Sequence, residues 1–138
     1  MLSQLEQKFY QLRHNFNLIF IALIAFIMFS HGSQKLFGWF GGNGIEKTAL
    51  LFESLGLAPG EPLVILAGTL ELIFAAGLLF PKTRVFSGLG IIVFILFAGL
   101  RSYGSNWFLF GGYGWEFAFL LIISLLVSIS STTKKVSS

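Results

Sequence analysis

The chain has 138 residues, 55% of them hydrophobic and 11% charged, with a mean hydropathy of +0.83, whereas an average soluble domain carries about a quarter charged residues. So little polar surface cannot cover a water-soluble core, and seventeen Phe with no Asp point to lipid as the solvent. The absence of Cys excludes disulfides, thiolate-bound zinc and cysteine-ligated iron–sulfur clusters, and a net charge of +3 is too small to argue for nucleic acid.

In chain order, Leu2, Leu5, Phe9, Leu12 and Phe16 recur at alternating steps of three and four, opposite a face of Gln, Glu, Lys and Arg. This spacing predicts an amphipathic helix over about 2–12, lying along the inner membrane surface as an anchor. A first span over about 14–37 follows, running past its apolar stretch into a polar end. No small-residue cleavage site follows it, so it reads as a retained anchor. His14 and His31 stand near its opposite ends, which argues against a bis-histidine haem, and no metal site is expected.

Asn43, with Glu46 three residues on, opens a second amphipathic helix over about 45–55 in the manner of a capping box, and Gly56 closes it before Pro59. Its apolar positions Ile45, Ala49, Phe52 and Leu55 predict a short helix on the outer surface. Further spans fall at about 62–80, 85–101 and 115–131. Only Lys82, Thr83 and Arg84 follow Pro81 before the third span, which makes the second and third a tight antiparallel pair. The segments FILFAGL and FAFLLIISLLV are apolar on every side, unlike the helices of a soluble bundle.

The expected fold is therefore all-α, a membrane four-helix bundle forming a single integral domain over 1–138, with short interfacial helices. Lys8, Arg13, Lys82, Arg84, Lys134 and Lys135 lie on one side, against Lys35, Lys47 and Arg101 on the other. The richer side is expected to be cytoplasmic, with both termini inside.

The outer loops resemble each other: FGGNGIE at 40–46 aligns with FGGYGWE at 110–116, and the same offset places His31 on Arg101. Two readings fit this match, parallel hairpin repeats and a chance match of low-complexity sequence. The glycines allow loops that fold back into the mouth of the bundle, or ordinary turns flanked by the interfacial tryptophans Trp39, Trp107 and Trp115.

Glu71 is the sharpest single residue, about 14 Å from either end of its span at about 1.5 Å per residue. A lipid-exposed carboxylate there would cost several kcal/mol, so Glu71 must face the interior, find a partner or hold a proton. It is either a functional group or a structural clasp. His31, Gln34 and Lys35 share a helix face one turn long if the first span continues past Ser30. Arg101 closes the third span on the same side, and Glu116 opens the fourth. Together they predict a polar pocket at the outer mouth, with Glu71 deeper. The catalytic candidates are Glu71, His31, Lys35 and Glu116. The candidate ligand-binding set, for a quinone or another small molecule, is His31, Gln34, Lys35, Glu71, Arg101 and Glu116 with the three tryptophans.

The stretch HGSQKLFGWFGGNG, then SLGL, then ELIFAAGLLFPKTR in the second span, then GGYGWE opening the last, resembles the DoxX family of small four-helix membrane proteins. The resemblance runs from about residue 13 to about 128. It implies a bacterial inner-membrane protein whose relatives include a subunit of a thiosulfate:quinone oxidoreductase and a membrane partner of soluble enzymes in oxidative-stress complexes. The family pattern falls on Arg13, Gly32, Lys35, Glu71, Arg84, Gly111, Gly112 and Glu116. Some relatives have a histidine near the end of the third span, where this chain reads RSYGSNW.

Three functions are compatible with these readings. The first is a membrane subunit in quinone-linked or oxidative-stress redox chemistry, with soluble redox enzymes as partners. As an enzyme component it would be an oxidoreductase subunit using a borrowed quinone or a partner's cofactor. The second is a noncatalytic anchor or scaffold for soluble enzymes. The third is a small proton-coupled transporter, which four short helices would support only as a homo-oligomer.

Overall fold

The computed structural model describes residues 1–102 and 114–133, and among these it is entirely helical, with no strand. Five α-helices follow in order: α1 Leu2–Phe37, α2 Gly44–Ser54, α3 Gly60–Leu79, α4 Arg84–Ser102 and α5 Trp115–Thr133. α1, α3 and α4 are long and apolar enough to cross a membrane. The apolar stretch of α5, Trp115–Ser131, is shorter but at about 26 Å is close to the hydrocarbon thickness of a bilayer. α1 packs on α3 and α5, and α4 packs on the same two, so the four long helices close into a ring. The expected helical membrane bundle is the fold observed.

The expected anchor helix and first span are one helix. α1 runs unbroken for 36 residues, about 54 Å, against a hydrocarbon core of about 30 Å. Between Leu12 and Phe16 the sequence is Arg-His-Asn, with neither the Gly nor the Pro at which helices usually bend. Residues 1–16 are all exposed, and Asn17 is the first buried side chain. The helix stops at Gly38, whose left-handed conformation (φ 69°) lets its N–H donate to the Ser33 carbonyl.

The bundle has two levels. One is a dry apolar core in which Ile21, Ile24 and Met28 of α1 meet Leu78 of α3, Ile91 of α4 and Leu125 of α5. At the other level α1 and α3 cross closely at Gly32 and Gly68. A Cβ on Gly32 would lie 2.8 Å from the Gly68 carbonyl oxygen, and one on Gly68 would lie 2.7 Å from Leu36 Cγ. Small residues at such a crossing replace side-chain packing with backbone approach.

The loop after α1 folds back along it. The Phe40 ring lies edge-on to Phe26 and Phe29, at centroid distances of 6.0 and 6.4 Å. Phe40 has φ 53°, a conformation disfavoured for a bulky residue. Phe26 and Phe29 are exposed on the lipid-facing side, so this loop returns along the outside of α1 and does not enter the mouth.

α2 begins at the expected place, with Asn43 in the cap position, but the Asn43 side chain makes no capping hydrogen bond. It ends in a Schellman arrangement, in which left-handed Gly56 donates to the Glu53 carbonyl and Leu57 to that of Phe52. It docks on α3: Thr48 and Ala49 are buried while Leu50 and Leu51 are exposed. The Glu53 carboxylate accepts the Gly60 N–H at 3.0 Å, placing a negative charge at the positive end of α3.

Candidate functional site

Glu71 faces inward. It shares a buried stripe of α3 with Ala67, Gly68, Ala75 and Leu78, at offsets of three, four and seven residues. On α1 the buried positions Ile21, Ile24, Ala25, Met28 and Gly32 form the equivalent stripe. Lys35, seven residues after Met28, continues it by one turn. The two stripes meet where Gly32 and Gly68 bring the helix backbones together.

The Lys35 ammonium donates to both carboxylate oxygens of Glu71, at 2.8 Å each. The Glu71 side chain is 3% exposed and that of Lys35 19%. A third helix contributes a wall, since Lys35 Nζ lies 5.8 Å from the centroid of the Phe94 ring of α4. The arrangement is a charge-assisted, two-pronged ion pair within helices able to span a bilayer, and an aromatic face contacts the cation. A primary ammonium has three N–H groups, so one remains after the carboxylate is served.

The other expected site residues are placed as follows. Gln34 is half-buried and donates to the Phe40 carbonyl at 3.3 Å, which ties the returning loop to α1. His31 is exposed, one turn before Lys35. Arg101 is exposed, with its guanidinium 5.7 Å from the centroid of the Phe97 ring on its own helix. Trp39 is exposed and stacks at 5.0 Å on Phe37. Trp115 and Glu116, half-buried, open α5, and the Trp115 ring lies 6.0 Å from that of Phe119. Trp107 lies outside the described residues, as do Gly111, Gly112 and most of the second glycine loop. Of the expected crown, Lys35 and Glu71 are brought into direct contact. Lys35 reaches the carboxylate directly, so the two are at one level.

The sequence placed Arg84 on the family pattern and among the cations of one face, but gave it no place in the candidate site. It is 8% exposed, and its Nε donates to the Leu78 carbonyl at 2.9 Å. Thr83 Oγ1 donates to that of Gly77 at 2.8 Å. These groups satisfy the orphan carbonyls at the end of α3. The signal was the run Pro-Lys-Thr-Arg directly after an apolar helix. Ser33 also escaped notice: it is fully buried, and its hydroxyl has no hydrogen-bond partner among the described residues.

The fold and this pair define a class, the small helical membrane bundle with an ion pair inside it. The DoxX family model matches residues 18–104, most of the chain, and the protein belongs to that family. No curated protein matches the chain, and no solved structure does. Gly32, Lys35, Glu71 and Arg84 lie within the matched stretch and form the helix crossing, the ion pair and the α3 cap. Arg13, Gly111, Gly112 and Glu116 lie outside it.

Proposed function

We propose that the protein is a membrane subunit of a redox system in the bacterial inner membrane, and that the Lys35–Glu71 pair is its hydrogen-bonding and proton-handling site for a quinone head group. The observation that carries this reading is the pair itself: an ionisable couple inside lipid-crossing helices, its cation still partly accessible and with one N–H that finds no further partner among the described residues. Intramembrane ionisable residues usually serve ligands or protons.

The residues fit a quinone in part. Lys35 offers one donor to a carbonyl oxygen, and the Phe94 ring supplies a flat apolar wall beside it. Glu71 is the group against which the Lys35 charge is held and through which a proton can be exchanged. A quinone carries electrons and protons through lipid, and the chain has no Cys to ligate an electron carrier of its own. Electrons would come from a partner enzyme. The excess of Lys and Arg on the α1 N-terminal side supports cytoplasmic termini.

The test is to purify the protein in mild detergent, assay its extracted lipid for quinone, and titrate a soluble quinone analogue while following tryptophan fluorescence. The wild type should bind, and Lys35→Met should weaken binding by about tenfold, the loss of one charge-assisted hydrogen bond. A preparation without quinone that also fails to bind the analogue would refute the proposal.

One observation favours a second reading, a scaffold for soluble enzymes in which the pair is only a clasp. Both Glu71 oxygens are already served by Lys35, and the bond joins α1 to α3. In that case Glu71→Gln leaves partner binding intact.

A further inference from the structure

The five apolar residues of the N-terminal stripe do not end where the bundle begins. The same alternation of three and four continues without interruption through Ile19, Leu23 and Phe26. Every one of these side chains is exposed, from 46% at Leu5 to 76% at Leu2. An apolar repeat of 3.5 residues, sustained over more than three heptads on one face of a helix, is the pattern of a coiled-coil seam. It stops at Phe26, beside which the Phe40 ring packs edge-on, because the next position of the alternation is Ser30.

We infer that this seam is the contact between two copies of the chain, paired in parallel along α1 from Leu2 to Phe26. Three observations support a second copy as the occupant. First, α1 is about 24 Å longer than a bilayer core, so part of the stripe must leave the lipid. With no break before Gly38, the helix cannot lie flat on the surface without bending where its sequence offers no hinge. Second, copies in one membrane share an orientation, so their α1 helices run parallel and identical faces meet about a two-fold axis. Third, the area is sufficient. Eight large apolar side chains with on the order of 100 Å² free on each give about 800 Å² per copy, the usual share of a stable interface. Five of the eight seam residues precede the family match, which begins at residue 18. The contact does not depend on the quinone reading.

The flanking charges give the inference a sign. With Leu2 and Phe9 at the first core position of the heptad, Lys8 falls at the last position and faces Arg13 of the second copy. These like charges oppose pairing, so the association rests on the apolar seam.

Because the chain has no Cys, single-cysteine variants give a clean test in native membranes under mild oxidation. Leu5→Cys and Leu12→Cys should form disulfide dimers at roughly tenfold the yield of Gln7→Cys and Gln11→Cys on the opposite face. Adding Lys8→Glu to Leu12→Cys should raise the yield by about threefold, as expected when a repulsive exposed pair becomes attractive. Equal crosslinking at all four positions overturns the inference. So do seam cysteines that are shielded from a water-soluble thiol reagent yet do not crosslink, which is the signature of a helix lying in lipid. An unchanged yield with Lys8→Glu overturns the parallel register.

Discussion

Removing the Lys35 ammonium leaves the Glu71 carboxylate buried and without its partner, and breaking a buried pair in this way costs about 3–5 kcal/mol. Replacing both partners by apolar residues of similar shape removes the desolvation cost with the attraction and is close to neutral. Lys35→Met and Glu71→Leu should therefore each lower the thermal midpoint in detergent by many degrees, while the double variant recovers most of the loss. A double variant as unstable as the sum of the singles would mean that the two groups are not coupled. Ser33 has the opposite sign. Its buried hydroxyl lacks a partner among the described residues, and an unpaired buried hydroxyl costs about 1–3 kcal/mol. Ser33→Ala should raise the midpoint, and a fall would show that the hydroxyl is bonded in the folded protein.

Among the elements, the crossing of α1 and α3 sets the register that lets Lys35 find Glu71. A methyl at Gly32 meets the Gly68 carbonyl oxygen at 2.8 Å, backbone that cannot swing aside, whereas a methyl at Gly68 meets the Leu36 side chain at 2.7 Å and backbone, the Gly32 carbonyl oxygen, only at 3.3 Å. Gly32→Ala should thus cost about 1–3 kcal/mol by overpacking, and Gly68→Ala less, as read by thermal unfolding of the two variants. The order of these effects follows from how close the backbone lies, 2.8 Å at Gly32 against 3.3 Å at Gly68. This crossing also explains which parts were legible in the sequence. The spans were visible because each is a long apolar run, and the inward face of Glu71 followed from the cost of a charge in lipid. The partner of Glu71 was not visible, because it depends on two glycines 36 positions apart meeting, and nothing local pairs Gly32 with Gly68. That the amphipathic stretch and the first span form one unbroken helix was hidden for a different reason. A surface helix and a projecting helix can carry the same apolar stripe at steps of three and four, and only the absence of Gly or Pro near Arg13 separates them. Arg84 was hidden by type, since an Arg after a helix reads equally as a solvated cation and as a cap.

At the scale of the whole molecule, the order of the helices determines which ends share a face. α3 runs antiparallel to α1, because Lys35 near the end of α1 meets Glu71 while Leu78, later in α3, packs with Ile21 and Ile24 earlier in α1. The turn at residues 80–83 therefore lies toward the N-terminal part of α1, and α2 lies at the opposite end. A bilayer drawn across the ring of four helices separates Ser3 and Lys82 from Lys47. On the orientation proposed above, the first pair faces the cytoplasm. Arg84 is spent on capping α3 and Lys35 on Glu71, yet among the described residues an excess survives their removal, with Lys8, Arg13 and Lys82 against Lys47 and Arg101. Single-cysteine variants at Ser3, Lys47 and Lys82 read the orientation directly with a membrane-impermeant thiol reagent on intact spheroplasts. Lys47→Cys should label at once, and Ser3→Cys and Lys82→Cys only after lysis. Labelling of Ser3→Cys and Lys82→Cys from opposite sides would contradict the bundle itself. Labelling of both before lysis, with Lys47→Cys protected, would keep the bundle and invert it, placing the accessible edge of Lys35 nearer the cytoplasm.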